Sequence, residues 1–262
     1  MAVRPAVLIT GASTGIGAVY ADRFAKRGHD LVLVARNRGR MEELAARLRE
    51  RDGVNVDIVR ADLAAPADLA QIEARLADDA RIGVLVNNAG AAAPGSFLDQ
   101  GPKVVGELID LNVSALARLT ASVAPRFVRE GKGSIVNIAS VVGLAPEFGL
   151  SVYGATKAFV LYLSQSLHLE LGPKGVYVQA VLPAATRTEI WSHAGVDVNT
   201  LSGVMEVGDL VDAALVGYDR RETVTIPPLP DAQQFADYDA ARLAMFANVA
   251  QSQPAARYRE AM

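Results

Sequence analysis

Two stretches of this chain have residue types and spacing that could do chemistry. Tyr153 and Lys157 stand four apart in Tyr153-Gly154-Ala155-Thr156-Lys157, and on a helix that spacing puts a phenol and an ammonium on one face. A free phenol titrates near pH 10, and a neighbouring ammonium favours the phenolate and lowers that value. Such a tyrosine can donate a proton to a carbonyl oxygen as hydride reaches the carbon, or accept one in the reverse direction. The second stretch is Thr10-Gly11-Ala12-Ser13-Thr14-Gly15-Ile16-Gly17. Glycines 11, 15 and 17 allow a tight turn and close approach of a pyrophosphate to the backbone. The helix that follows offers free N–H groups and a partial positive charge to the phosphates. A strand before and a helix after distinguish such a turn from an ordinary glycine cluster.

A second strand ends in Val34-Ala35-Arg36-Asn37-Arg38. A site selective for NAD places Asp or Glu about 20 residues beyond the glycines, on the ribose 2′-hydroxyl. Here Ala35 and Arg36 stand in that place, and a guanidinium suits a 2′-phosphate because its fork of donors matches the phosphate oxygens. The reading favours NADP over NAD. The plain alternative is a solvated basic loop in which Arg36, Arg38 and Arg40 face water. No carboxylate spacing suggests a paired-carboxylate hydrolase, and His29, His168 and His193 are too scattered for a metal site, so none is expected.

These residues need elements to hold them. Short apolar runs at 6–9, 31–34, 54–59, 84–86, 134–138, 176–182 and 223–226 alternate with helical patterns at 15–27, 39–51, 66–79, 103–130, 152–172 and 208–219. The runs are mostly continuous rather than alternating, as in strands buried on both faces. Strands alternating with helices imply βαβ crossovers. The expected fold is therefore α/β: a doubly wound, Rossmann-like parallel sheet of about seven strands in a single domain.

Composition fits that fold and excludes others. The 262 residues are 51% hydrophobic and 21% charged, which rules out disordered, collagen-like and coiled-coil classes. A net charge of −3 provides no field to recruit nucleic acid or an anionic membrane. Cysteine is absent, which excludes a disulfide scaffold and a thiolate nucleophile. The first residues lack the apolar stretch of a signal peptide, and no run is long enough to span a bilayer. A cytoplasmic protein without membrane or nucleic-acid partners is expected.

Together the motifs resemble those of the short-chain dehydrogenase/reductase family, in its single-domain branch. The matching residues are Thr10-Gly11-x-x-x-Gly15-x-Gly17, Asp62-Leu63, Asn87-Asn88-Ala89-Gly90, Asn112, Ser140 and Tyr153-x-x-x-Lys157, over residues 5 to 227. The resemblance implies an NADP-dependent oxidoreductase that interconverts a carbonyl and a secondary alcohol. It implies Tyr153 as general acid/base, with Lys157 lowering its pKa and bonding the nicotinamide ribose. Ser140 would bond the substrate carbonyl oxygen, and Asn112 would hold a water linking Lys157 to solvent. Cofactor contacts would come from Gly11, Ser13, Thr14, Gly15, Ile16, Gly17, Arg36, Asp62, Leu63, Asn88, Ala89, Gly90, Tyr153, Lys157, Pro183 and Thr188. Of these, Asp62 would face the adenine and Thr188 the nicotinamide carboxamide. Members of the family are usually oligomers, so a homodimer or homotetramer is expected.

On their own types, Ser140 at a strand end reads equally as a capping residue, and Asn112 as a locally bonded helix residue. The chain departs from the family where Pro183-Ala184 replaces the usual Pro-Gly, since alanine resists a backbone shape that glycine permits. Two other functions remain open: a catalytically silent NADP-binding regulator, and, among enzymes, a 3-oxoacyl thioester reductase. An epimerase or dehydratase of the longer branch would show Gly-x-x-Gly-x-x-Gly, which this sequence lacks. The stretch from Ala184 to Val207, with Trp191 and His193, is the expected substrate loop, and its apolar character suits a neutral hydrophobic carbonyl compound. The expected organisation is a catalytic domain over 1–227 and an extension over 228–262, acting as a cap or an oligomer contact. The extension opens Pro228-Leu229-Pro230 and has a helical pattern around Phe235 to Val249.

Overall fold

Apolar runs with alternate residues on opposite faces dictate a sheet covered on both sides. The computed structural model describes residues 4–93, 95–190, 195 and 197–259; Trp191 and His193 lie outside them. Strands β1 (Ala6–Thr10), β2 (Leu31–Ala35), β3 (Val56–Arg60), β4 (Ile82–Asn87), β5 (Gly133–Ile138), β6 (Val176–Val181) and β7 (Val224–Thr225) form one parallel sheet of order β3-β2-β1-β4-β5-β6-β7. Period-2 alternation splits the core. Val7 and Ile9 join one apolar cluster with α1 (Gly15–Lys26), α2 (Arg38–Asp52) and α7 (Val207–Asp219). Leu8 and Ala6 join the other with α3 (Pro66–Asp78), α5 (Leu116–Glu130) and the end of α6 (Ser151–Leu171).

The strand order reverses between β1 and β4, and there the connections diverge to opposite faces. In open α/β sheets the crevice beyond the carboxyl ends of the strands at such a point is where ligands bind. No helix of the described residues is long and apolar enough to cross a membrane.

The continuous helix expected over 103–130 is divided. Helix α4 (Phe97–Ile109) opens with a Ser96–Asp99 capping box and carries Gly101, at φ +65°, before Pro102. A π-helical turn, Asp110–Ala115, then separates it from α5. From Leu229 the chain forms a second compact unit built on α8 (Ala232–Val249), none of whose residues is buried.

Candidate active site at the carboxyl edge of the sheet

The glycine turn leaves β1 and enters α1 with features that suit a phosphate. Thr14 makes no side-chain cap on α1, and the first turn holds no acidic residue. The donors there meet no capping side chain, unlike those of α2, where the Asn37 carboxamide oxygen accepts from the Arg40 N–H at 3.1 Å. Gly11 has φ +65°, and a Cβ there would stand 2.8 Å from the Asn88 amide nitrogen and 3.0 Å from the Ala89 Cα. Ser13, Thr14, Gly15 and Ile16 are partly exposed, and Gly17 is buried. The residues present therefore fit the pyrophosphate of a dinucleotide.

Thr10 joins the two sides of the crevice. Its hydroxyl accepts from the Asn88 and Ala89 N–H groups at 2.9 and 3.0 Å. The Asn88 amide in turn donates to the Thr10 and Gly11 carbonyls at 2.9 and 3.2 Å. Arg36, exposed at the end of β2, makes no ion pair among the described residues. Arg38 instead pairs with Glu42, and Arg40 with Glu189. At the end of β3, Asp62 accepts from the Ala64 N–H at 3.1 Å, and Leu63 is buried.

The first turns of α6 carry Tyr153 and Lys157 under the end of β5. The Lys157 ammonium is buried, donates to the Ile138 carbonyl at 2.9 Å and lies 5.6 Å from the centre of the Tyr153 ring. The Ser140 hydroxyl lies close enough to the Tyr153 phenol to favour its ionised form. Ser140 donates to the Pro183 carbonyl at 3.2 Å, and its oxygen accepts from the Val142 N–H at 3.4 Å, so it also caps the turn after β5.

Burial sets the electrostatics. It raises the Tyr153 phenol to about 12, with the Ser140 hydroxyl pulling less strongly the other way. It lowers the Lys157 ammonium to about 8. The direction at Tyr153 is opposite to that expected from the neighbouring ammonium alone, because removing a phenolate from water outweighs the attraction of a cation set over the ring face. The phenol thus keeps its proton at neutral pH and stands ready as a donor.

Asn112 sits in the π-helical turn with its amide fully committed. Its oxygen accepts from the Ala91 N–H at 2.9 Å, while its nitrogen donates to the Ala91 carbonyl at 2.9 Å and the Thr156 hydroxyl at 3.1 Å. Both amide protons are therefore used in fixing the strand-end backbone against α6. Gly90 lies between these groups: a Cβ there would stand 3.2 Å from the Asn112 oxygen and 3.6 Å from the Lys157 ammonium.

Two neighbours carry no role in the sequence reading. Thr156 is buried, accepts from Asn112 and donates to the Tyr153 carbonyl at 2.7 Å. Gly143 allows the turn after Ser140 to rest on α6, since a Cβ there would be 2.7 Å from the Ala158 nitrogen and the Lys157 carbonyl carbon. Thr156 lies inside the Tyr-x-x-x-Lys motif, which was the available signal; Gly143 had none beyond being a glycine near Ser140.

Beyond β6, Thr188 reaches the glycine turn, with its methyl 3.3 Å from where a Cβ on Gly15 would stand. A bridge between Thr186 and Met205 closes the base of this segment. The predicted catalytic residues thus gather at the end of β5, the first turns of α6 and the π-helical turn, and the predicted cofactor residues line the same edge from β3 to β6. Among the described residues no three metal-ligating side chains come together.

The profile of the short chain dehydrogenase family matches residues 5–198. The chain belongs to that family. This short-chain dehydrogenase is 64% identical to a solved short-chain dehydrogenase from Sphingobium yanoikuyae in complex with NADPH, over 97% of this chain and 99% of that one, with a TM-score of 0.96. It is 56% identical to the bulky-bulky ketone specific alcohol dehydrogenase from Comamonas testosteroni, over 98% of this chain and 99% of that one, with a TM-score of 0.92. Among curated relatives, the very-long-chain 3-oxoacyl-CoA reductase of Anas platyrhynchos is 36% identical over 188 residues, 70% of this chain and 60% of that protein. The short-chain dehydrogenase described here thus matches about 60% of the length of those curated relatives.

Proposed function

We propose that this short-chain dehydrogenase is an NADP-dependent oxidoreductase that interconverts a bulky, neutral ketone and its secondary alcohol. The observation that carries the reading is the meeting of Tyr153, Ser140 and Lys157 beside the glycine turn, with the phenol held protonated. When bound, the nicotinamide exchanges hydride with the carbonyl carbon. Tyr153 gives its hydroxyl proton to the carbonyl oxygen, and the Ser140 hydroxyl, rotating from the Pro183 carbonyl, donates a second hydrogen bond to that oxygen. Lys157 keeps a positive charge beside the phenol as its proton leaves. Asn112 and Thr156 hold α6 against the end of β4. Arg36, without a carboxylate partner among the described residues, receives the 2′-phosphate.

The ketone specificity given for the Comamonas testosteroni enzyme supports the substrate class. A 3-oxoacyl thioester is the second reading, supported by the curated relatives. Arg187 is the basic residue that could face an acyl carrier, but it already pairs with Glu206 at 2.7 Å and Asn199 at 2.9 Å, which favours the neutral ketone. A silent regulator is disfavoured because all four catalytic positions hold competent side chains. A cytoplasmic homodimer or homotetramer is the form we propose. Exposed Leu98, Tyr162 and Leu169 support it, as do Tyr238, Leu243, Met245 and Phe246 on α8 for an oligomer contact in the extension.

The test is the oxidation of NADPH, with NADH alongside, over aryl ketones bulky on both sides, small ketones, aldehydes and 3-oxoacyl thioesters. Turnover of the bulky ketones with NADPH well above the rest is the expected outcome. Preference for thioesters would select the second reading, and turnover of none with tight NADPH binding would select the regulator.

A further inference from the structure

The three arginines beyond β2 differ in their partners. Arg36 has no ion pair among the described residues, and Arg38 is paired within its own helix to Glu42 at 2.7 Å. Arg40 reaches out of its helix to Glu189, on the segment after β6, at 2.6 Å. Both side chains of that pair are close to half exposed, at 48% and 44%. The Asn37 cap binds the Arg40 N–H, so Arg36 and Arg40 flank the same first turn of α2.

Glu189 follows Thr188, whose methyl lies over Gly15. The segment from Thr188 to Glu189 therefore runs from the turn that suits a pyrophosphate to the turn that suits a 2′-phosphate. Its base is held separately, by the Thr186–Met205 bridge and by Arg187 on Glu206 and Asn199. Glu189 thus supplies a carboxylate at the place where NADP, and not NAD, brings an anion of its own.

We propose that Glu189 and the 2′-phosphate of NADP compete for Arg40, which makes this ion pair a determinant of dinucleotide preference. A phosphate monoester carries close to two negative charges near neutral pH and several strong acceptor oxygens. It therefore competes well against a single carboxylate for a guanidinium, whereas the neutral 2′-hydroxyl of NAD cannot. With NADP bound, Arg40 turns to the phosphate alongside Arg36, and its pair with Glu189 opens. With NAD bound, the pair stays closed. This inference rests on the reading of Arg36 as a 2′-phosphate ligand.

The experiment is titration of the protein, free of substrate, with NADPH and NADH, followed by the change in nucleotide fluorescence. The unmodified protein is compared with Glu189→Gln and Arg40→Gln. Removing the competitor in Glu189→Gln tightens NADPH by about two- to fivefold, the range of an exposed ion pair. Removing the shared cation in Arg40→Gln weakens NADPH by about tenfold, the range of a charge-assisted bond to phosphate. Neither substitution moves NADH affinity by more than about twofold. Opposite shifts confined to NADPH support the proposal. Shifts in the same direction, or equal for both nucleotides, make the pair a tie for the loop alone and overturn it. A clear NADPH preference that neither variant alters overturns this inference but leaves Arg36 in its role. Equal affinities in the unmodified protein overturn both.

Discussion

Lys157 is 6% exposed and its ammonium donates to a backbone carbonyl at the end of β5. Arg187, on the segment after β6, is close to half exposed and pairs with an exposed Glu206, with side-chain exposures of 44% and 59%. The same contrast holds around each. Near Lys157, Asn112 clamps Ala91 in both directions, Thr156 binds both Asn112 and the Tyr153 carbonyl, and Gly143 lets backbone rest on backbone. Around Arg187 the ties are the exposed pair with Glu206, the contact to Asn199 and, two residues on, the pair of Glu189 with Arg40. Buried bonds to backbone fix a side chain to the fraction of an ångström that proton transfer demands. Exposed ion pairs contribute about 0–1 kcal/mol each and re-form readily, which suits a segment that must yield to an entering ligand. The proposed chemistry therefore sits on the rigid side, and the proposed selectivity on the side held by charge.

The sharpest way to break that division is Tyr153→Phe. The ring keeps its packing while the proposed proton donor is removed, so turnover falls by about 10³-fold, within the range of general acid catalysis. NADPH affinity changes by less than about threefold, because the glycine turn and Arg36 are untouched. Steady-state rates and a fluorescence titration on one preparation check both halves. Turnover within tenfold of the unmodified enzyme would move the proton transfer to another group.

The next effect comes from the buried ammonium and appears as pH dependence. Lys157 titrates near 8 in the folded protein and near its ordinary 10.5 when unfolded. Between those values the unfolded chain holds a proton that the folded one has lost, so stability from this group rises with pH across the window. Below pH 8 both states are charged and the folded state carries the full cost of burial. Lys157→Met has no such term. The unmodified protein therefore gains on the variant by an amount of order 1 kcal/mol or more between pH 8 and 10.5, and the difference between the two stays constant below 8. Thermal midpoints of both proteins across that range test this; a difference flat with pH would mean that the ammonium is solvated.

Much of the rigid side is legible in the sequence, because its strands and motifs follow local rules. The continuous apolar runs give both faces of the sheet, and Val7 and Ile9 separate from Ala6 and Leu8 as period-2 packing requires. The π-helical turn at Asn112 has no such local sign. Asp110-Leu111-Asn112-Val113-Ser114-Ala115 contains no glycine or proline, and what stabilises the extra residue is tertiary, the bonds of the Asn112 amide to Ala91 and Thr156. The Tyr153 pKa shows the same limit. Spacing supplies the sign of a neighbouring charge, but the larger opposing effect, burial, depends on how the rest of the chain packs over the phenol. The partners of the arginines are hidden for the same reason: Arg40 and Glu189 stand 149 residues apart.

The smallest effect tests the charged side by itself. Arg187 lies directly before Thr188, and its pair with Glu206 joins the two ends of the segment at the point where the Thr186–Met205 bridge closes it. Arg187→Gln keeps a hydrogen-bonding side chain but removes the charge. Global stability then changes by less than about 1 kcal/mol, as for other solvated pairs. The segment frays more often, so amides at its base, such as those of Arg187 and Met205, which each bond a carbonyl across the bridge at 2.9 Å, exchange faster. KM for the ketone rises by about two- to fivefold while kcat holds, because the proton donor and its supports are not involved. Hydrogen exchange and steady-state kinetics on the variant measure these separately. A fall in kcat as large as the rise in KM would mean that the charged segment helps to align Tyr153, and the division between a rigid chemical side and a yielding selective side would not hold.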